Sequence, residues 1–204
     1  MSKEEKLQKL KEEMERDSSL PLKKPGVNLV FGVGNPEAKL LLIGEGPGYW
    51  ENVKKEPFVG NAGKFLDQLL ASIKIPRESV FITNVVHHRP PENRDPLPEE
   101  IEAYGKYLDR IIEIIDPEVI ITLGRFSMAK FLPGARISSV HGRVQRVNWK
   151  GKEIVVVPMY HPAAALRNGE IMKQEKEDFL KLPGILGDIK KESSKVGIKQ
   201  MNLI

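Results

Sequence analysis

The sequence predicts an α/β domain, a three-layer sandwich built on a mostly parallel central sheet, and three observations predict it. Short apolar runs recur along the chain, amphipathic helical stretches lie between them, and most of the runs lack the polar alternation of a strand with one wet face. Strands covered on both faces by helices have this pattern. In such sheets ligands bind beyond the carboxyl ends of the strands, so the segments following each run are where chemistry is to be sought.

Residues 2–16 read as a short charged helix, broken before Pro21, Pro25 and Gly26, and Leu29 to Phe31 opens an extended stretch. The runs KLLLIG (39–44), VFITNVV (80–86), VIITLG (119–124) and IVVVPM (154–159) have the length of strands, and the first three show no polar alternation. Between them, 64–73 places Phe65, Leu66, Leu69 and Leu70 on one helical face, and 98–115 does the same with Ile101, Tyr104, Leu108, Ile111, Ile112 and Ile115. Arg143 to Trp149, the pair Lys150-Gly151 and Lys152 to Met159 read as a hairpin near the end of the sheet. A charged helix from Glu170 to Leu182 and a polar tail after Glu192 complete the chain. Residues 1–192 are expected to form a single domain with helix 2–16 at its periphery, and 193–204 the tail.

With 204 residues, 40% of them hydrophobic, the chain is long enough for one substantial core. The formal net charge of +4 suits a polyanionic partner without identifying one. Cysteine is absent, which excludes a disulfide framework, a thiolate metal site and a cysteine nucleophile. The charged amino terminus has no apolar signal core, and no run approaches the ~18 apolar residues of a membrane span. A soluble, cytoplasmic monomer is expected, with no membrane association.

Each candidate loop follows a predicted strand. In Gly44-Glu45-Gly46-Pro47-Gly48 the glycines permit tight turns and close approach to a flat ligand, and Glu45 offers the charge. Two readings stand: a carboxylate that positions a water or meets a developing cation, or a Gly-Pro turn with a solvated Glu. Pro57 to Gly63 precedes a helix whose first amides suit a phosphate, with Phe58 either stacking on a base or filling core. Asn84, inside an apolar run, is either a satisfied structural amide or a recognition group with donor and acceptor side by side. His87 to Pro96 is a proline-bounded loop whose Arg89 and Arg94 are either solvated or phosphate contacts. His161, at a strand end and followed by small residues, is the best general catalyst on offer.

Taken together, GEGPG (44–48), PFVG with AG (57–63), TN followed by RPPENRDP (83–96) and HPAA (161–164) resemble the family 4 uracil-DNA glycosylases, from about Val30 to about Arg167. The resemblance implies a uracil-DNA glycosylase-like fold and hydrolysis of the bond between deoxyribose and uracil, leaving an abasic site for base excision repair. It implies uracil-containing DNA, single- or double-stranded, as partner, a place at the nucleoid, and no cofactor for the chemistry. Two departures stand out. Family members usually carry four cysteines on a 4Fe–4S cluster, and those places here fall on Asp17, Leu20, His88 and Tyr104. Leu20 can ligate nothing, so the cluster is expected to be absent. In its place a packed patch is expected, in which either Asp17 and His88 or Tyr104 and His88 make a hydrogen bond. A metal on Asp17 and His88 is the other outcome. The wedge leucine that often follows the HPA motif is here Ala165, with Leu166 next.

By the same resemblance His161 faces the uracil O2, Asn84 the N3/O4 edge, and Glu45 the sugar or its attacking water. Phe58 stacks on the base, Gly44 and Gly46 let backbone approach it, and Tyr49 or Glu51 excludes the thymine methyl. Leu166 and Arg167 fill the gap in the DNA, and Arg89 and Arg94 meet phosphates. Competing readings are a non-cleaving, base-sensing module of the same fold, a glycosylase for another deaminated base, and a nucleotide-binding enzyme. The last is weakened by the lack of a Walker lysine or a spaced G-x-G-x-x-G.

Overall fold

The computed structural model of the chain describes residues 1–201, with side chains as far as Ile189 together with Lys191 and Glu192. Helix α1 (Lys3–Arg16) begins with a capping box in which the Ser2 hydroxyl accepts from the Glu5 amide and the Glu5 carboxylate from the Ser2 amide. Then come β1 (Val33–Gly34), β2 (Leu40–Gly44), α2 (Tyr49–Lys54), α3 (Asn61–Ser72), β3 (Phe81–Asn84) and α4 (Pro98–Ile115). The second half holds β4 (Val119–Leu123), α5 (Arg125–Ala129), α6 (Ile137–Val140), the hairpin strands β5 (Gln145–Trp149) and β6 (Lys152–Met159), α7 (Pro162–Ala165) and α8 (Gly169–Met201).

The six strands lie in the order β1-β3-β2-β4-β6-β5. The inner pairs β3·β2, β2·β4 and β4·β6 are parallel, and the edge strands β1 and β5 run antiparallel to their neighbours. Strand β2 is buried throughout because alternate side chains enter different cores. Leu41 and Ile43 join the residues of α1 and α4, whereas Leu40 and Leu42 join those of α3 and α8. That is the three-layer sandwich expected from the uninterrupted runs. The chain leaves β2 for β3 on one side and returns to β4 on the other, which makes the end of β2 the switch point where a crevice opens.

Two expectations need correction. The extended stretch from Leu29 pairs as a strand only at Val33–Gly34, and the run 80–86 ends as a strand at Asn84, beyond which Val85 and Val86 turn into the loop while donating to the Gly44 and Glu45 carbonyls. The helix expected over Glu170 to Leu182 continues through Pro183 to Met201, so most of the expected polar tail is helical; its side chains, and residues 202–204, lie outside the described residues. Proline removes one backbone hydrogen bond from a helix without necessarily ending it.

The amino-terminal helix docks by burial of Leu7, Leu10 and Met14, reinforced by Glu13 to Arg110 on α4. Of the four cluster positions, His88 and Tyr104 are buried and hydrogen-bonded, Nδ1 to Oη, at 2.8 Å, and Leu20 shares their core. Asp17 instead accepts from Tyr107 at 2.7 Å and Lys106 at 2.9 Å, and the Ser19 hydroxyl and these partners hold its carboxyl well below the usual range. These donors do not fit an iron–sulfur cluster, and among the described residues no group of three or more His, Asp or Glu is disposed to hold a metal.

Candidate active site

Strands β2, β3, β4 and β6 all point their carboxyl ends at one rim of the sheet, and a cavity of about 260 Å³ opens there. Gly44 and Asn84 end adjacent strands in register, and the glycine is what lets the site close up: a Cβ on Gly44 would lie 2.5 Å from Asn84 Oδ1 and 2.6 Å from the Phe58 ring. Gly63 is required in the same sense, since its Cβ would meet the Phe58 carbonyl at 1.8 Å. Phe58, itself held at φ 54°, thus sits beneath the cavity with its ring stacked on that of His161, 5.7 Å between centroids. Its two readings merge, for it is both core and cavity wall.

Asn84 is 1% exposed, and its Oδ1 has no hydrogen-bond partner. A buried acceptor left open is costly unless a ligand completes it, so the recognition reading of this amide is the one the geometry favours. His161 caps α7, its Nδ1 accepting from the Ala163 amide at 3.1 Å. That bond leaves the proton of the neutral ring on Nε2. Burial, with Arg167 adding, lowers the His161 pKa to about 4, so the ring is an uncharged donor at neutral pH. Glu45 also lines the cavity, and burial pushes its carboxyl up; the Asp95 charge adds to the shift, and Arg125 and Arg167 oppose it.

Glu51, from α2, reaches the wall with its Oε1 accepting from the Val59 amide at 3.0 Å and the Gly60 amide at 2.8 Å. Gly46 lines the cavity as well, packed against Val86. Tyr49 does not: it is 53% exposed on the outer side of α2, with Arg89 over its ring at 5.3 Å. Arg94 lines the cavity, but its guanidinium is forked onto Glu100 at 2.6 and 2.9 Å, so its charge is already engaged. Leu166 is 44% exposed beside Arg167, whereas Ala165 is buried in the core. Arg125 escaped the sequence reading. It follows β4, forms an ion pair with Asp95, and acts on the Glu45 charge; the rule that sought chemistry after each strand would have found it.

Comparison with known proteins points one way. Residues 31–182 match the family described as the Uracil DNA glycosylase superfamily. The chain is 47% identical over 172 residues to the type-4 uracil-DNA glycosylase of Archaeoglobus fulgidus, covering 81% of this chain and 86% of that one. It is 39% identical over 193 residues to the enzyme of the same name from Thermotoga maritima, covering 94% and 98%. With that of Sulfurisphaera tokodaii it shares 44% over 182 residues, 86% and 83% of the two chains.

Proposed function

The chain belongs to the uracil DNA glycosylase superfamily, and from that premise we propose that it releases uracil from DNA by hydrolysing the bond between base and deoxyribose. The observation that carries the reading is the convergence of Glu45, Phe58, Asn84 and His161 on one cavity. Uracil leaves the stack to enter it, at a cost lowest where the base is mispaired or single-stranded. Asn84 then accepts from N3–H with its open Oδ1 and donates to O4. As the C1′–N1 bond breaks, its electron pair passes to the base, and His161 donates Nε2–H to O2, where that charge gathers. A neutral donor stabilises the uracil anion without first having to give up a proton. Glu45 faces the sugar side, where its carboxylate stabilises the cationic C1′ and orients the water whose oxygen bonds to it. The proton of that water leaves through Glu45, and the released uracil anion is protonated by solvent.

Glu51, pinned by two amides, supplies the fixed wall that a thymine C5 methyl would strike. Tyr49, turned outward, takes no part in this exclusion. Leu166 is the side chain presented to the vacated stack, with Arg167 beside it. The test is strand scission by alkali after incubation with DNA carrying uracil, thymine or another deaminated base at one position, single- and double-stranded. Scission at uracil and none at thymine is expected, with His161→Ala slower by about 10²–10³ at saturating enzyme. Binding without base release would instead establish the non-cleaving module.

A further inference from the structure

Among the described residues, large apolar side chains left in water are few, and three of them, Tyr49, Trp50 and Val53, occupy one short helix, α2. Trp50 is 55% exposed, and its ring meets that of Tyr49 edge-on at 5.1 Å. Neither ring fills core, yet both are held: Arg89 covers Tyr49, and the Trp50 indole lies 3.7 Å from where a Cβ on Gly60 would sit. The helix also carries Glu51, which faces the cavity, so α2 borders the site. A groove running on from Pro90 is lined by Arg89, Lys24 and Asn52. Lys24, Lys54 and Lys55 are exposed and make no ion pair among the described residues; with Arg89 they outnumber the nearby acids Glu51, Glu56 and Glu92.

Resting on the reading of the site as a uracil pocket, we infer that Tyr49 and Trp50 form a stacking step for the base of the nucleotide next to the extruded uracil. The cations beside them take that strand's phosphates. Exposed aromatic rings interleaved with lysine and arginine are how proteins hold a single strand without reading its sequence, because every base has a face to stack. An unstacked neighbour is what extrusion of a base leaves behind. The step therefore grips DNA already opened at the lesion, and contributes to binding rather than to bond breaking.

The chain has two tryptophans, Trp50 and Trp149, so Trp149→Phe leaves Trp50 as the reporter. Its emission should be quenched saturably by a uracil-free single-stranded thymidine oligonucleotide, and far less by an equally long phosphodiester chain without bases. Measured by anisotropy of a labelled oligonucleotide, Trp50→Leu should raise Kd about 5- to 150-fold, the range for one lost base–aromatic stack, and Trp50→Phe should restore most of it. Single-turnover uracil release by Trp50→Leu at saturating enzyme should match that of the unaltered chain. Equal quenching by the base-free chain, unchanged affinity in Trp50→Leu, or a loss confined to the saturated rate would each overturn the inference. Because the oligonucleotide contains no uracil, uracil release without quenching refutes this step alone, and quenching without release refutes the glycosylase reading.

Discussion

His161 and Glu45 face the same cavity, and burial, by disfavouring the charged form of each, drives their pKa values in opposite directions, which fixes the expected pH profile. The imidazole becomes a cation only below about 4, so the donor role proposed for it persists through neutrality, and no limb near the ordinary histidine value should appear. The pKa of Glu45 is raised, so the ionised form proposed to meet the sugar is lost as pH falls through a value higher than that of an ordinary glutamate. Single-turnover rates should therefore fall on the acid side, and Glu45→Gln should flatten that limb as well as slow the reaction; a limb that vanishes only in His161→Ala would reverse the assignment. At this scale the sequence was readable where function constrains residue type. GEGPG and HPAA named Glu45 and His161 because tight backbone approach demands glycine and small residues. It was mute on the choice between Tyr49 and Glu51, since only the orientation of α2 decides which of two side chains, two residues apart, meets the cavity. It was equally mute on Arg94, whose bond to Glu100 depends on how a loop folds onto the start of α4.

Among the elements, those that bury a continuous face were legible and the shortest helices were not. Strands β2 and β4 and helices α3 and α4 each bury a continuous face, and a buried face leaves a periodic trace. Helices α2, α5, α6 and α7 have six residues or fewer, too short for a period to show, and Pro183 reads as a stop although α8 passes it. That last helix holds a second consequence. Glu175 is fully buried with neither carboxylate oxygen partnered, and burial, with Asp178 adding, pushes its pKa up to about 8. Nearby, Asp178 accepts from His141 at 2.5 Å and from Lys181 at 2.8 Å, in space left by Gly142, whose Cβ would strike it at 2.1 Å. The folded state thus binds the Glu175 proton more tightly than the unfolded chain does. Its contribution to stability is fully present below about 4.5 and lost as pH rises through about 8. Glu175→Gln should accordingly raise the thermal midpoint at pH 9 and leave it nearly unchanged at pH 5; an equal shift at both would show the carboxyl to be ionised or solvated throughout.

At the level of the whole molecule, buried apolar side chains and hydrogen bonds hold the amino-terminal segment. Leu10 and Met14 are fully buried against α4, and His88, Tyr104 and Leu20 close the patch. Incubation with strong chelators should leave both activity and thermal midpoint unchanged, and elemental analysis should find no stoichiometric iron or zinc. Conversely Leu10→Ala should destabilise the chain by about 2–5 kcal/mol, since this fully buried side chain helps to dock the helix. These four positions were expected to lie together; His88 and Tyr104 are hydrogen-bonded, and Leu20 belongs to the same core. Asp17 bonds to Tyr107, one helical turn beyond Tyr104, a partner that the sequence pattern does not indicate. The hairpin carries a consequence of another kind. Its turn, Lys150-Gly151, takes positive φ at both residues, the geometry of a tight two-residue connection, and it stands at the start of β6 while His161 follows the end. Eight residues of strand separate the two, roughly 25 Å at strand rise. A flexible linker inserted between Lys150 and Gly151 would emerge on the opposite rim from the DNA. The protein could there be fused to a second module or fixed to a surface, with the cavity left facing outward to its substrate.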